Sequence, residues 1–360
     1  MRPLEFGWFL PTSGDSAAFG VAEETIEISP EHLRKVAHAA EDAGFEYLLI
    51  PVDRACWEAY VAGSFIAAET RKLKPLIAAR PGYINPVLLA KMISTFDQFS
   101  GGRICVNLIA GQAEEEILSE GIKYRKEDRY ALMDEEVSIL KALWTARKPL
   151  DWDGRFHQLR NASITPKPVQ QPFPRFYLGG GSEDAWNLSA KHSDVHLFWG
   201  DTPARIAQNI ADIRRRAAQH GREDQIGFGM RLQVICREHE DDALQAADKL
   251  IRNIPEAARE ILKRDTASSM ANRRVQELVS EKGLWIQPHL WSGLTRFRRG
   301  AGIAVVGNPE QCAQTFQQFI DAGCHSFCLS GYLHDAEPER FHKWVRPILE
   351  ERNKGRMKSA

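Results

Sequence analysis

The sequence predicts an α/β fold, a (β/α)8 TIM barrel with insertions, and three observations carry the prediction. Eight short apolar runs alternate with helical patterns along 360 residues, as a ring of parallel strands wrapped by helices requires. That length suits a single barrel domain, 1–360, enlarged by insertions. No GxGxxG follows the first apolar run, which weakens the competing architecture, a doubly wound open sheet.

Phe6 to Leu10 reads as the first strand and stops at Pro11-Thr12-Ser13-Gly14-Asp15. Ser29-Pro30 opens a helix with proline at its first position, and Leu33, Val36, Ala37 and Ala40 carry the apolar stripe towards Gly44. Tyr47 to Ile50 is the second strand, ended by Pro51, and a helix follows over Cys56 to Glu69. Leu73 to Ala79 is the third strand, ending at Arg80-Pro81-Gly82. A helix from Pro86 to Phe99 stops at Gly101-Gly102 and leads into the fourth strand, Ile104 to Ile109. A long amphipathic helix covers Lys126 to Thr145. The fifth strand, Phe176 to Leu178, runs into Gly179-Gly180-Gly181. Ser182 is then an N-cap with Glu183 and Asp184 in the first turn of a helix to His192. Val195 to Phe198 is the sixth strand, and Thr202-Pro203 starts a helix ending near Gly221. Phe228 to Cys236 is the seventh strand and Ser326 to Ser330 the eighth.

Two stretches break the alternation. Residues 146–174 form a Pro-rich excursion around Trp152 and Asp153-Gly154, read as a small hairpin plus loop. Residues 237–303 are a long insertion between strands seven and eight. From Ile254 to Gly300 it carries nine Lys/Arg, including Arg259, Lys263, Arg264, Arg298 and Arg299, against five Asp/Glu. Long loops on the active face of a barrel often act as lids, and a basic one suits an anionic ligand as well as it suits a solvated surface.

Composition narrows the function classes. A formal charge of −1 gives no global attraction to nucleic acid or an anionic membrane. The six cysteines include no CxxC, no His/Asp/Glu set has metal-ligand spacing, and no nucleophile elbow or P-loop occurs. No signal-peptide pattern opens the chain and no apolar run approaches the roughly 18 residues of a membrane helix. The expectation is a cytoplasmic protein that borrows its hard chemistry from a cofactor.

In a barrel, chemistry sits just after the strands. The glycine turn and helix start at Gly180, Gly181 and Ser182 offer backbone N–H groups and a positive dipole end to a phosphate. Arg231 and Gln233 alternate within strand seven and so face one side, the interior, where a polar pair is costly unless it meets a ligand or a protein partner such as a carboxylate. Arginine suits oxyanions through its fork of donors. Tyr332 and His334 follow strand eight, either as hydrogen-bonded loop residues or as the groups that complete such a pocket, and Trp199 is a candidate wall or a core residue. Ser13, Cys56, Arg80 and Asn107 sit at other strand ends.

Several segments, in order, resemble the bacterial-luciferase-like flavin-dependent monooxygenases, and within them the two-component alkanesulfonate monooxygenases. These are Trp8-Phe-Leu-Pro-Thr12, Glu46-Tyr-Leu-Leu-Ile-Pro51, Asn107-Leu-Ile-Ala-Gly111, Asp128-Arg-Tyr130, Tyr177-Leu-Gly-Gly-Gly-Ser182, Phe198-Trp-Gly200, Arg231-Leu-Gln-Val234, Arg299-Gly-Ala-Gly302 and Leu329-Ser-Gly-Tyr332. The resemblance implies a TIM barrel that uses reduced FMN, supplied by a separate NAD(P)H-dependent flavin reductase, and O2 to cleave the C–S bond of an organosulfonate. It also implies a homodimer or homotetramer. Carried over residue by residue, it puts the flavin phosphate at Gly180, Gly181, Ser182 and Tyr130, and the flavin against Ala79, Arg80 and Asn107. The sulfonate and oxygen side would take Trp199, Arg231, Arg298, Tyr332 and His334, with Cys56 near the reacting flavin. Arg299 is the alternative to Arg298 if the register of Arg-Arg-Gly-Ala-Gly moves by one.

Two departures stand out. The alkanesulfonate enzymes generally have His where this chain has Ser13 and Gln233. Trading imidazoles for neutral hydrogen-bonding groups points to a hydroxylated substrate such as the sulfosugar sulfoquinovose, with alkanesulfonates or methanesulfonate as the alternative. A deazaflavin- or FMN-dependent reductase, or a non-catalytic flavin-binding protein, on the same barrel are the readings of another class.

Overall fold

A computed structural model describes residues 2–111, 114–257, 260, 270–296, 298 and 300–356. Eight parallel strands close into a ring: β1 (Glu5–Phe9), β2 (Tyr47–Ile50), β3 (Lys74–Ala79), β4 (Cys105–Leu108), β5 (Phe176–Gly179), β6 (Val195–Trp199), β7 (Gly227–Cys236) and β8 (Ser326–Ser330). Closure comes from β8 pairing with β7 on one side and with β1 on the other, where Phe6 lies beside Phe327. Helices α1 (Pro30–Asp42), α2 (Ala59–Glu69), α3 (Pro86–Ser100), α4 (Lys126–Thr145), α5 (Glu183–His192), α6 (Pro203–Ala218) and α7 (Pro309–Asp321) surround the ring.

Local chemistry explains the boundaries. Ser29, Asn85, Thr202 and Asn308 each cap a helix that begins with proline, so the orphan N–H groups of the first turn find an acceptor before the barrel packs. Helix α2 starts at Ala59 rather than Cys56. Asp53 accepts from the Ala55 N–H and the Glu58 carboxylate caps Val61, so a turn holds residues 53–58 and Cys56 sits in it.

Strand alternation sorts the core into two layers. Along β2, Leu48 and Ile50 join the layer between strands and helices, while Tyr47 and Leu49 enter the lumen with Leu76, Cys105, Tyr177, Val195, Leu197 and Cys328. Beneath them Glu5 accepts from the Tyr177 hydroxyl at 2.8 Å and pairs with Arg175 at 3.1 Å, which closes the floor. The lumen is therefore filled below and open only above, at the carboxyl ends of the strands.

The two breaks in alternation take different forms. Residues 146–174 contain the expected hairpin, Leu150–Asp153 against Gln158–Ala162. The insertion is fastened to the barrel more firmly than its charge suggests. At ten residues β7 outruns the ring, and its last four, Gln233–Cys236, pair with a strand at Ala304–Gly307. Leu290–Trp291 and then Trp285–Gln287 add to that strand antiparallel. The backbone groups of β7 above the rim need partners, and the returning insertion supplies them. The strand Ala304–Gly307 and helix α7 lie between the insertion and β8, beyond the elements that the sequence predicts. Arg259, Lys263, Arg264 and Arg299 of the basic stretch lie outside the described residues. No helix among the described residues is long and apolar enough to cross a membrane.

Candidate active site

A cavity of about 420 Å³ opens at the carboxyl-terminal mouth of the ring, within the range of cofactor and substrate pockets. On its wall are Ser13, Cys56, Arg80, Asn107, Tyr130, Gly180, Gly181, Ser182, Trp199, Arg231, Arg298, Tyr332 and His334. Of the residues expected there, Ala79 and Gln233 are off the wall.

One half of the cavity is built on the turn after β5. Gly180 has φ of +149°, and a Cβ there would lie 2.8 Å from the Cβ of Ala185 and 3.8 Å from the Tyr130 hydroxyl. A ligand can thus approach the bare backbone where any side chain would intrude. Ser182 caps α5 by accepting from the Ala185 N–H at 3.2 Å and donates to the Tyr130 hydroxyl at 3.3 Å. The Trp186 indole N–H, donated to the Gly180 carbonyl at 3.2 Å, pins the turn from behind. A flavin phosphate fits this cradle: two hydroxyls, a helix N-terminus and no side chain in the way. Lys126, on the same wall, adds a positive charge that the sequence reading did not single out.

Along the β3–β4 wall, Arg80 lines the cavity but its guanidinium is committed. It donates to Glu116, to Glu120 at 2.8 Å, to the Tyr83 hydroxyl at 2.9 Å and to the Val52 carbonyl at 3.2 Å. It serves as a neutralised strut rather than a free cation. Cys56 is half-buried, and burial pushes its thiol above the ordinary range despite hydrogen bonds from Thr12 and Ser13. It stands as a neutral thiol, with no thiolate character.

The other half holds two guanidiniums and one carboxylate, Asp15, which is spent on His334. Arg231 is buried and donates to the Ser330 hydroxyl at 3.0 Å and to the Leu232 and Cys328 carbonyls at 3.3 Å. Arg298 donates to the Tyr332 hydroxyl. Among the described residues neither has a carboxylate partner, and both lie over the Phe9 ring, at 4.6 and 5.2 Å. Two guanidiniums gathered at one aromatic ring, one of them buried, repel each other, and an oxyanion between them removes that cost. Burial raises the Tyr332 phenol above its ordinary value despite Arg298, so it keeps its proton, and while its oxygen accepts from Arg298 that proton can serve the cavity.

Gln233 reaches this half at second hand. Its amide donates to the Ala301 carbonyl at 3.0 Å and accepts from the Ser330 hydroxyl at 2.6 Å, and Ser330 in turn accepts from Arg231. Alternation does put Gln233 on the inner side, but at the height where the insertion crosses the rim and covers it. Both of its polar ends are satisfied by protein.

The residue most clearly missed is Asp15. Read as part of a turn, it is instead fully buried between His334 and His32. The signal in the sequence is its position, since a carboxylate two residues after Ser13, just past β1, lies close to whatever follows the neighbouring β8.

The family described as luciferase-like monooxygenase has a sequence model that matches residues 4–326. Among solved structures, a riboflavin lyase crystallised with modified FMN and riboflavin superposes with a TM-score of 0.83 at 18% identity, covering 100% of this chain and 93% of that one. EDTA monooxygenase from Chelativorans sp. BNC1 gives 0.81 at 16% identity, with 98% and 94% covered. A coenzyme F420-dependent tetrahydromethanopterin reductase from Methanopyrus kandleri gives 0.69 at 16% identity, with 97% and 100% covered. At such identities the likeness speaks for the fold.

Proposed function

The chain belongs to the luciferase-like monooxygenase family, and we propose that it is a reduced-FMN- and O2-dependent sulfonate monooxygenase that cleaves a C–S bond, releasing sulfite and an aldehyde. The observation that carries this reading is the pair of buried Arg231 and half-buried Arg298, neither with a carboxylate partner among the described residues, opposite a cradle suited to a flavin phosphate. Reduced FMN, when bound, supplies the two electrons with which one atom of O2 goes to the aldehyde and the other to water.

The chain's own residues do the rest. Gly180, Gly181, Ser182 and Tyr130 hold the phosphate, and Asn107 meets the ring from the β4 end. Arg231 and Arg298 grip the sulfonate, which places the adjacent carbon by proximity. Arg298 reaches in from the insertion, so seating it over an anion also excludes water from the reacting atoms. Ser13 offers a neutral hydroxyl at the cavity mouth, where a polyhydroxylated substrate would be accommodated. That supports a sulfosugar such as sulfoquinovose ahead of linear alkanesulfonates and methanesulfonate. A flavin reductase drawing on NAD(P)H would feed the site, with the enzyme a homodimer or homotetramer in the cytoplasm.

The test is a sulfite-release screen with a flavin reductase, FMN and NADH, comparing sulfoquinovose, linear alkanesulfonates and methanesulfonate. Sulfite from sulfoquinovose only when O2 is present is the expected outcome. Activity confined to linear compounds would overturn the sugar preference. The same fold also serves a coenzyme F420-dependent reductase, so substrate turnover by reduced F420 or FMN under strict anaerobiosis would replace oxygenation with hydride transfer.

A further inference from the structure

Both carboxylate oxygens of Asp15 are used on His334. Oδ1 is 2.8 Å from the imidazole Nδ1 and Oδ2 accepts the backbone N–H of the same residue at 2.7 Å. Oδ1 also accepts the Ser16 N–H at 2.9 Å, and His32 Nε2 from α1 lies 3.4 Å from Oδ2. The carboxylate is completely buried, and His334 is 1% exposed while lining the cavity. The remaining polar atom of His334, Nε2, has no partner among the described residues.

A carboxylate accepts and cannot donate, so the hydrogen between it and Nδ1 belongs to the imidazole. The indole N–H of Trp8, donated to the His334 carbonyl at 2.9 Å, fixes the backbone from the opposite side. The groups facing the ring are Asp15, His32 beyond it, Arg231, Arg298 and Tyr332. Burial lowers the His334 pKa. Asp15 opposes that shift, while Arg298 and Arg231 add to it, so near neutral pH the ring is uncharged.

We infer that Asp15 is a positioning residue that locks His334 as the Nδ1–H tautomer, so that Nε2 is a hydrogen-bond acceptor for the ligand rather than a donor to its anion. A sulfonate oxygen has no hydrogen to give, so the anion belongs to Arg231 and Arg298. The group that meets Nε2 carries an O–H: a substrate hydroxyl or a water beside the reacting carbon. If that proton transfers, the ligand O–H bond breaks, an Nε2–H bond forms, and the fixed charge of Asp15 balances the imidazolium. This moves His334 from the sulfonate-holding role that the resemblance implies to that of a proton acceptor next to it.

The tautomer can be read without flavin or substrate. In protein labelled with 15N-histidine, two-bond nitrogen–proton correlation spectra, assigned with His334→Gln, are expected to show His334 at pH 7.5 with Nδ1 protonated and Nε2 bare. In Asp15→Asn that pattern is expected to be lost. An Nε2–H or doubly protonated ring in the wild-type protein would overturn the inference even if the variant fails to fold. So would an unchanged pattern in a folded Asp15→Asn. The consequence for turnover rests on the desulfonation reading: Asp15→Asn is expected to lower kcat at least tenfold with KM for the sulfonate changed less than threefold. The reverse split would place His334 back on the anion. Absence of any sulfite with the expected tautomer would count against the reaction and leave the Asp15 assignment standing.

Discussion

Arg231 is the residue whose removal should be felt most by an anionic ligand. Its three protein contacts are neutral acceptors, so its charge is unspent until an oxyanion arrives. Charge-assisted bonds of this kind are worth about 1.5–3 kcal/mol each, and Arg231→Ala is expected to weaken sulfonate binding at least tenfold. Fluorescence titration with FMN present checks this, and undiminished affinity would remove Arg231 from the site. Much at this scale was legible: strand position and residue type pick out Arg231, Tyr332, His334 and Ser182. What could not be read was pairing. Gln233 has the right parity, yet Ala301 and Ser330 consume its hydrogen bonds. Arg80 has the right place, yet Glu116 and Glu120 consume its charge. Asp15 looks like a turn residue until β8 is brought beside it. Such partners lie tens to hundreds of residues away in sequence, and only closure of the ring brings them together.

At the scale of elements, the strand–turn–helix unit from Phe176 to His192 joins folding to binding. The Ser182 hydroxyl caps α5 and also faces the phosphate cradle. Ser182→Ala is expected to cost about 1 kcal/mol of stability as a lost cap and, separately, to weaken FMN binding several-fold. Riboflavin, which lacks the phosphate, should bind the variant as well as the wild type in a parallel titration. Equal losses for the two flavins would place the phosphate elsewhere. This unit could be read from sequence because each of its signals is local: an apolar run, three glycines, a cap and an acidic first turn. The strand Ala304–Gly307 could not. It is four apolar residues that form a strand only because β7 runs past the rim and leaves backbone groups to be met. Helix α7 carries a local signature that sequence does hold, a complete capping box at Asn308 and Gln311 with Pro309 between them.

Across the whole molecule, buried imidazoles make stability depend on pH. His196, against Ser189 in the layer behind β6, is pushed down to about 3 by burial, and His325 to about 4. Both are neutral in the folded barrel, whereas in the unfolded chain they protonate below about 6.5. The unfolded state therefore binds more protons as pH falls from 6.5 towards 4, and stability is lost over that interval. For His196 alone the loss is about 2 kcal/mol by pH 5. Urea midpoints at pH 7.5 and 5.0 should differ accordingly, and a flat profile would contradict neutral burial of these rings. The ring of eight strands was the most legible feature of all, since each strand announces itself by apolarity and each helix by periodicity, and the order of the barrel follows the order of the chain.

Coupling of reduced-flavin oxidation to breakage of a C–S bond in this cavity is tested most directly by a single-turnover experiment: protein, reduced FMN and sulfoquinovose are mixed anaerobically, O2 is admitted, and sulfite and oxidised flavin are counted together. No sulfite before O2 and close to one sulfite per flavin after it is the expected result. Flavin oxidised with hydrogen peroxide and no sulfite, for this and every other sulfonate tried, would contradict it.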